Sequence, residues 1–153
     1  MRNWLIWASA VTILLAAFCG CAKKVAVKPS QESVKATAAL GAFQQMERAF
    51  VARDSKGVMS FVSEDMKNGY PEFETNLRKD LETYDRVSLE YEVDRVEEDG
   101  DKVSLVLHWF GKWWDKTGKE QEARGNSIFT FKVTGPAATL TEVIGDSPFG
   151  MVR

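Results

Sequence analysis

His108 is the only histidine in the 153-residue chain. Any mechanism that needs an imidazole base, or a Ser-His-Asp or Cys-His relay, therefore has to run through it. It stands in Leu107-His108-Trp109, on the same face as Val106 and Phe110 of a strand-like run. A pocket base is conceivable there, but a hydrogen-bonded sheet histidine is the reading that the pattern favours. Asp54 and Asp65 could serve as carboxylate bases if burial raised their pKa. Asp54, however, has the place of a helix cap and Asp65 that of a solvated turn. Of the tyrosines Tyr70, Tyr84 and Tyr91, the last two fall in core or sheet positions. Cys19 and Cys21 can make no disulfide framework, and no Cys/His cluster has zinc-ligand spacing. The expectation is a non-catalytic protein with no metal and no cofactor.

The most unusual local feature is Trp109-Phe110-Gly111-Lys112-Trp113-Trp114. Aromatic rings with a neighbouring lysine can stack on sugars or bases, or grip a protein. Strand alternation divides the cluster, with Trp109 and Trp113 on one face and Phe110 and Trp114 on the other. One face is then core, and the other is free to be a ligand or dimer surface. Trp109, Phe110, Trp113 and Trp114, with His108 and Tyr70, are the candidate ligand- or partner-binding residues. A formal net charge of −2, from 20 basic and 22 acidic residues, carries no signature of nucleic-acid binding. Glu97-Glu98-Asp99 reads as a solvated hairpin tip.

The N-terminus speaks of location. Met1-Arg2-Asn3 is a short positive start, residues 4–22 carry no charge, and Lys23-Lys24 ends the run. That pattern describes a secretory signal peptide, with an uncleaved membrane anchor as the competing reading, since the run approaches the roughly 20 residues that a spanning helix needs. Phe18-Cys19-Gly20-Cys21 resembles the lipobox of bacterial lipoproteins. The resemblance implies cleavage after Gly20, a signal peptide over residues 1–20, lipidation of Cys21, and a lipidated tether over residues 21–30. It implies a cell-envelope location, held to the membrane by the lipid. In a host with two membranes, Ala22 after the lipid site is compatible with the periplasmic side of the outer membrane.

The elements that must position the candidate residues come in two halves. Apolar residues recur at helical spacing over residues 34–53, through Ala36, Ala39, Leu40, Phe43, Met46 and Phe50. Asp54 can cap a second, shorter helix carrying Val58, Phe61 and Val62. Pro71 suits the first turn of a third helix whose face is Phe73, Leu77, Leu81 and Tyr84. After Asp85 the period becomes two: Val87, Leu89, Tyr91 and Val93 alternate with polar residues, and the phase slips at Arg95-Val96, where a bulge is expected. Asp99-Gly100 is a hairpin signal. Residues 103–114 form a central strand with apolar residues on both faces. Lys116-Thr117-Gly118-Lys119 is a second turn, residues 128–133 a third strand that begins nearer Gln121, and residues 139–144 a short fourth after the turn at residues 134–137. Helices followed by an antiparallel meander make an α+β domain over residues 31–153, with N-terminal helices packed on a curved sheet of about four strands.

This order resembles the nuclear-transport-factor-2-like superfamily, which includes the ketosteroid-isomerase-like and SnoaL-like families. The resemblance rests on Ala52-Arg53-Asp54 closing the long helix, on the run Val58-Met59-Ser60-Phe61-Val62-Ser63-Glu64-Asp65, on the third helix with its long antiparallel strands, and on the ending Glu142-Val143-Ile144-Gly145-Asp146. It implies a cone in which helices close a curved sheet over an apolar pocket, with dimerisation through the sheet's outer face. The small strand usual between the second and third helices is not evident over residues 65–70, and the catalytic Tyr and Asp pair of the ketosteroid isomerases has no counterpart residue by residue. The expected function is that of an envelope lipoprotein whose domain binds a small apolar ligand or a protein partner. The alternatives are an isomerase- or lyase-like enzyme using the same pocket, and a structural accessory subunit of an envelope complex.

Overall fold

The computed structural model describes residues 31–67 and 69–150. The expected signal peptide, the lipid site Cys21, the tether, Asn68 and residues 151–153 lie outside the described residues. Three helices come first: α1 (Gln31–Val51), α2 (Ser55–Met59) and α3 (Tyr70–Thr83). In α1 the residues Ala39, Ala42, Phe43, Met46 and Phe50 are buried, while Gln44, Gln45 and Arg48 face solvent. That three-to-four spacing puts one stripe of the helix into the core. The chain then reverses through Arg53, which adopts a left-handed backbone (φ 63°), as the residue just past a helix end often does.

Asp54 is a helix cap, as expected: its Oδ1 accepts the Gly57 N–H at 2.9 Å and so satisfies one unpaired donor of α2. Pro71 occupies the first turn of α3, behind Gly69 at φ 85°. The Arg53 guanidinium reaches across to the far end of α3. It donates to Leu81 O at 2.6 Å, to Tyr84 O at 2.5 Å and to the Asp85 carboxylate at 3.2 Å. Two carbonyls at a helix end thereby gain a charged donor.

The sheet follows: β1 (Tyr84–Asp99), β2 (Lys102–Asp115), β3 (Glu120–Thr134) and β4 (Ala137–Gly145), antiparallel and in sequence order. β1 slips in register at Asp85, between the pairs Tyr84↔Asp115 and Arg86↔Trp114, and at Asp94, between Val93↔Leu107 and Arg95↔Val106, a residue before the expected slip. A further slip lies between Thr130 and Phe131, where Thr141 of β4 is the extra residue. Such insertions bend and twist their strands, which curves the sheet around the helices.

Two sequence expectations need correction. The second helix does not carry Phe61 and Val62; it stops at Met59, because the chain after it extends along β4. Leu140 N donates to Phe61 O at 2.7 Å and Ser63 N donates to Leu140 O at 2.9 Å. The short strand sought over residues 65–70 appears earlier, as a single parallel bridge from Val62 to Leu140. One bridge is too brief to leave an alternating pattern in sequence.

The inner face of the sheet, with Val87, Leu89, Leu105, Leu107, Phe129, Phe131 and Leu140, closes against α1 and α3 to form the core.

Candidate functional site

The six candidate binding residues fall into three places. Trp109 and Trp113 point inward and are 3% and 0% exposed. Phe110, Trp114 and His108 stand on the outer face of the same strand. Tyr70 opens α3 on the helix side, beside Ser55, Met59 and Glu74 at a surface notch.

Inside, each indole lies over a glycine. A Cβ at Gly111 would run into the six-membered ring of Trp113, and one at Gly125 would meet Trp109 Cζ2 at 2.9 Å. The two indoles meet edge to face at 6.0 Å and 81°. Trp109 Nε1 donates to Asp146 O at 2.7 Å and to Ser127 Oγ at 3.1 Å, and Ser127 Oγ donates to Asp146 O as well. Trp113 Nε1 is a buried donor with no partner among the described residues, a cost of about 1–3 kcal/mol that its ring contacts have to offset. Tyr84, 6.5 Å from the Trp113 ring, donates its hydroxyl to Gln121 Oε1 at 2.9 Å. Burial, with the Asp80 and Asp115 carboxylates nearby, pushes the Tyr84 phenol above its ordinary pKa.

Farther along the cone, Phe43, Phe50, Phe73 and Phe129 surround Phe149 at centroid distances of 5.1–6.3 Å. The space between helices and sheet that the sequence resemblance makes an apolar pocket is thus occupied by aromatic rings of the chain itself. Two residues here escaped the sequence reading. Phe149 follows Ser147-Pro148 after the last strand, where no periodicity marks a residue as buried. Asp80 is fully buried on α3, and a carboxylate on a helix reads from sequence as solvated.

The outer face is different in kind. Its apolar residues Val106, Phe110, Trp114 and Ile128 are half-buried, and Ile144 is 50% exposed. Charged groups frame them. Arg86 stacks over the Trp114 ring with its guanidinium carbon 4.0 Å from the centroid. Lys112 bridges Glu122 at 2.6 Å and Glu120 at 3.3 Å, and hydrogen bonds to these two hold the ammonium pKa above its usual value. His108 donates Nδ1–H to Asp94 Oδ1 at 2.9 Å, and its Nε2 lies 3.6 Å from Glu92. A His-Asp pair of this geometry can orient an imidazole base. With half of the His108 side chain exposed, it stands outside any enclosed site. His108, Phe110, Arg124, Asn126 and Asp146 border an open depression of about 470 Å³. Among the described residues, no cluster of His, Cys, Asp and Glu has a metal-holding arrangement, and no helix is long and apolar enough to cross a membrane.

No protein-family model and no curated protein matches the sequence. Solved structures do match it. A nuclear transport factor 2-like superfamily protein from Salmonella enterica serovar Typhimurium superposes with a TM-score of 0.62 at 12% identity, over 78% of this chain and 94% of that one. The association domain of C. elegans CaMKII gives 0.58 at 10% identity, over 78% and 100%. A hexachlorocyclohexane dehydrochlorinase gives 0.55 at 11% identity, over 76% and 89%. These likenesses are of fold, and a shared fold does not carry an activity with it. Three helices, a curved meander of four antiparallel strands and a core between them give this chain the nuclear-transport-factor-2-like α+β fold.

Proposed function

We propose that the protein is a lipid-anchored envelope protein, attached through Cys21, whose domain acts by binding and presents the outer face of its sheet to a protein partner, in the first instance a second copy of itself. The observation that carries this reading is the unequal treatment of the two sheet faces. The inner one is filled by the chain's own rings, whereas Phe110, Trp114, Ile128 and Ile144 remain partly open on the other. Apolar residues framed by charges suit a protein interface better than a solvated surface. The association domain of C. elegans CaMKII, similar in fold, is named for assembly.

The test has two arms. Sedimentation of the full-length chain should show self-association that Phe110→Glu with Ile128→Glu abolishes while circular dichroism stays unchanged; a wild-type chain that is monomeric and retains no protein partner would overturn the binding reading. Cys21→Ala expressed in a bacterial host should leave an unprocessed or mislocalised precursor, and normal membrane retention of that variant would remove the anchor.

A second reading, an isomerase- or lyase-like enzyme, is favoured by one observation: the fully buried carboxylate of Asp80, close enough to raise the pKa of Tyr84. Turnover lost in a folded Asp80→Asn variant would decide for it.

A further inference from the structure

The chain past β4 has an unusual construction. Gly145 (φ 88°) turns the backbone where a Cβ would strike the carbonyl oxygen of Asn126, and Asp146 N donates to that same oxygen at 2.9 Å. Asp146 O in turn receives Trp109 Nε1–H and the Ser127 hydroxyl. Asp146 is therefore fixed. Residues 147–150 have no regular secondary structure, and their described hydrogen bonds are local ones, from Phe149 N to Ser147 Oγ and from Ser147 Oγ to Phe149 O. Yet Phe149 is only 3% exposed, with its ring among Phe43, Phe50, Phe73 and Phe129. A groove of about 470 Å³, lined by Phe73, Asn76, Lys79, Val143 and Ser147, leads along the segment to that ring.

We infer that residues 147–150 are a removable plug: Phe149 occupies a binding site for a small apolar ligand about the size of its own ring, and the ligand enters by displacing it. The physical contrast is between the ring and its backbone. Phe43, Phe50 and Phe129 are held by helix and strand ladders, so withdrawing any of them breaks regular structure. Withdrawing Phe149 needs rotation beyond Asp146, the loss of local bonds and the uncovering of Pro148 and Gly150, the latter packed on Asn76 of α3, but it breaks no helix or strand ladder. Elements with few backbone bonds are the ones that open below the global unfolding free energy. The four phenyl walls would remain in place, and a dry cavity lined by rings takes up small hydrophobes. This inference is independent of the outer-face interface and survives its failure.

The test uses the full-length chain with toluene as the probe. Hydrogen exchange should be at least about a hundredfold faster for amides 149–150 than for amides 129–133 of β3, and toluene should accelerate exchange of the tail while leaving β3 unchanged. Phe149→Ala should bind toluene at least about tenfold more tightly than wild type, because its site no longer has to be vacated. Phe129→Ala, which leaves the tail in place, should show no toluene-dependent acceleration beyond that of wild type. Should Phe149→Ala fold poorly, the wild-type exchange arm decides alone. Tail amides as slow as those of β3, or tail exchange slowed or untouched by toluene, would overturn the plug and leave Phe149 an ordinary core residue.

Discussion

Trp113 and Trp114 are neighbours in one strand, and they have opposite fates. The first lies on Gly111 with no exposed surface, edge-on to Trp109; the second stands outside under the Arg86 guanidinium. The same contrast runs down the whole of β2, where Val103, Leu105, Leu107 and Trp109 are covered and Ser104, Val106, His108 and Phe110 are not. The inner face is aliphatic and aromatic and makes its contacts within the chain. The outer face mixes apolar residues with charges paired to their strand neighbours: Lys112 to Glu122 across the β2–β3 ladder, and His108 to the bulged Asp94 of β1. The first face is closed by contacts within the chain, and the second leaves apolar side chains partly open beside paired charges.

The largest effect that can sharpen this contrast is a pair of truncations at those neighbours. Trp113→Ala should cost about 3–5 kcal/mol, as a large core ring does, while Trp114→Ala, confined to the surface, should cost under about 1 kcal/mol. Urea denaturation compares them directly. Equal losses would mean that the two faces are not divided as described. Self-association should respond the other way, weakened by Trp114→Ala in a folded chain.

The covered side also depends on the Arg53 clamp that ties the turn after α1 to the end of α3. Arg53→Ala removes donors to Leu81 O and Tyr84 O and should lower stability by about 1.5–3 kcal/mol, the range for hydrogen bonds with a charged partner. Arg53→Gly loses the same bonds but suits the left-handed backbone, so it should be the more stable of the two variants, and an Arg53→Ala chain as stable as wild type would show that the clamp contributes nothing.

Which residues face inward depends on the register of β2 against β3, since a one-residue slip exchanges the faces. Asp115 closes the connecting turn: its Oδ1 accepts from Thr117 Oγ1 at 2.6 Å, Thr117 N at 2.8 Å and Lys119 N at 3.0 Å. The Thr117 hydroxyl is the foremost of the groups that hold its carboxyl below the ordinary pKa. A carboxylate with a lowered folded-state pKa contributes stability above its unfolded pKa and loses it as pH falls through the lowered value. Asp115→Asn should thus be less stable than wild type at neutral pH, with the gap closing in acid below the usual carboxylate range. Denaturation midpoints measured across that window check the sign, and a gap that widens in acid would contradict the turn assignment.

The smallest effect is expected at His108. His108→Gln removes an exposed pair with Asp94 and should change stability by no more than about 0.5 kcal/mol. A larger loss measured in urea would show that the outer face contributes to the fold as well as to contact.

Much of this architecture was legible in the residues. The stripe from Ala39 to Phe50, Asp54 as a cap, Pro71 at a helix start and the alternation of Val103, Leu105, Leu107 and Trp109 are local patterns. Each follows from one element's period or from one turn's hydrogen bonds. So does the division of the aromatic cluster into Trp109 with Trp113 and Phe110 with Trp114. What the tertiary structure alone decided concerns partners distant in sequence. Val62 stops short of a helix because Leu140 offers it a ladder. Trp113 is core rather than contact because Gly111 leaves room for its ring and Trp109 and Tyr84 pack beside it. Asp80 is buried by neighbours that no helical period reveals. Phe149 has no pattern at all; its burial depends on four phenyl rings drawn from α1, α3 and β3, which only the closed cone brings to one point. Periodicity is a property of a segment, whereas occupancy of a shared space is a property of the whole chain, and this protein's interior was settled by the second.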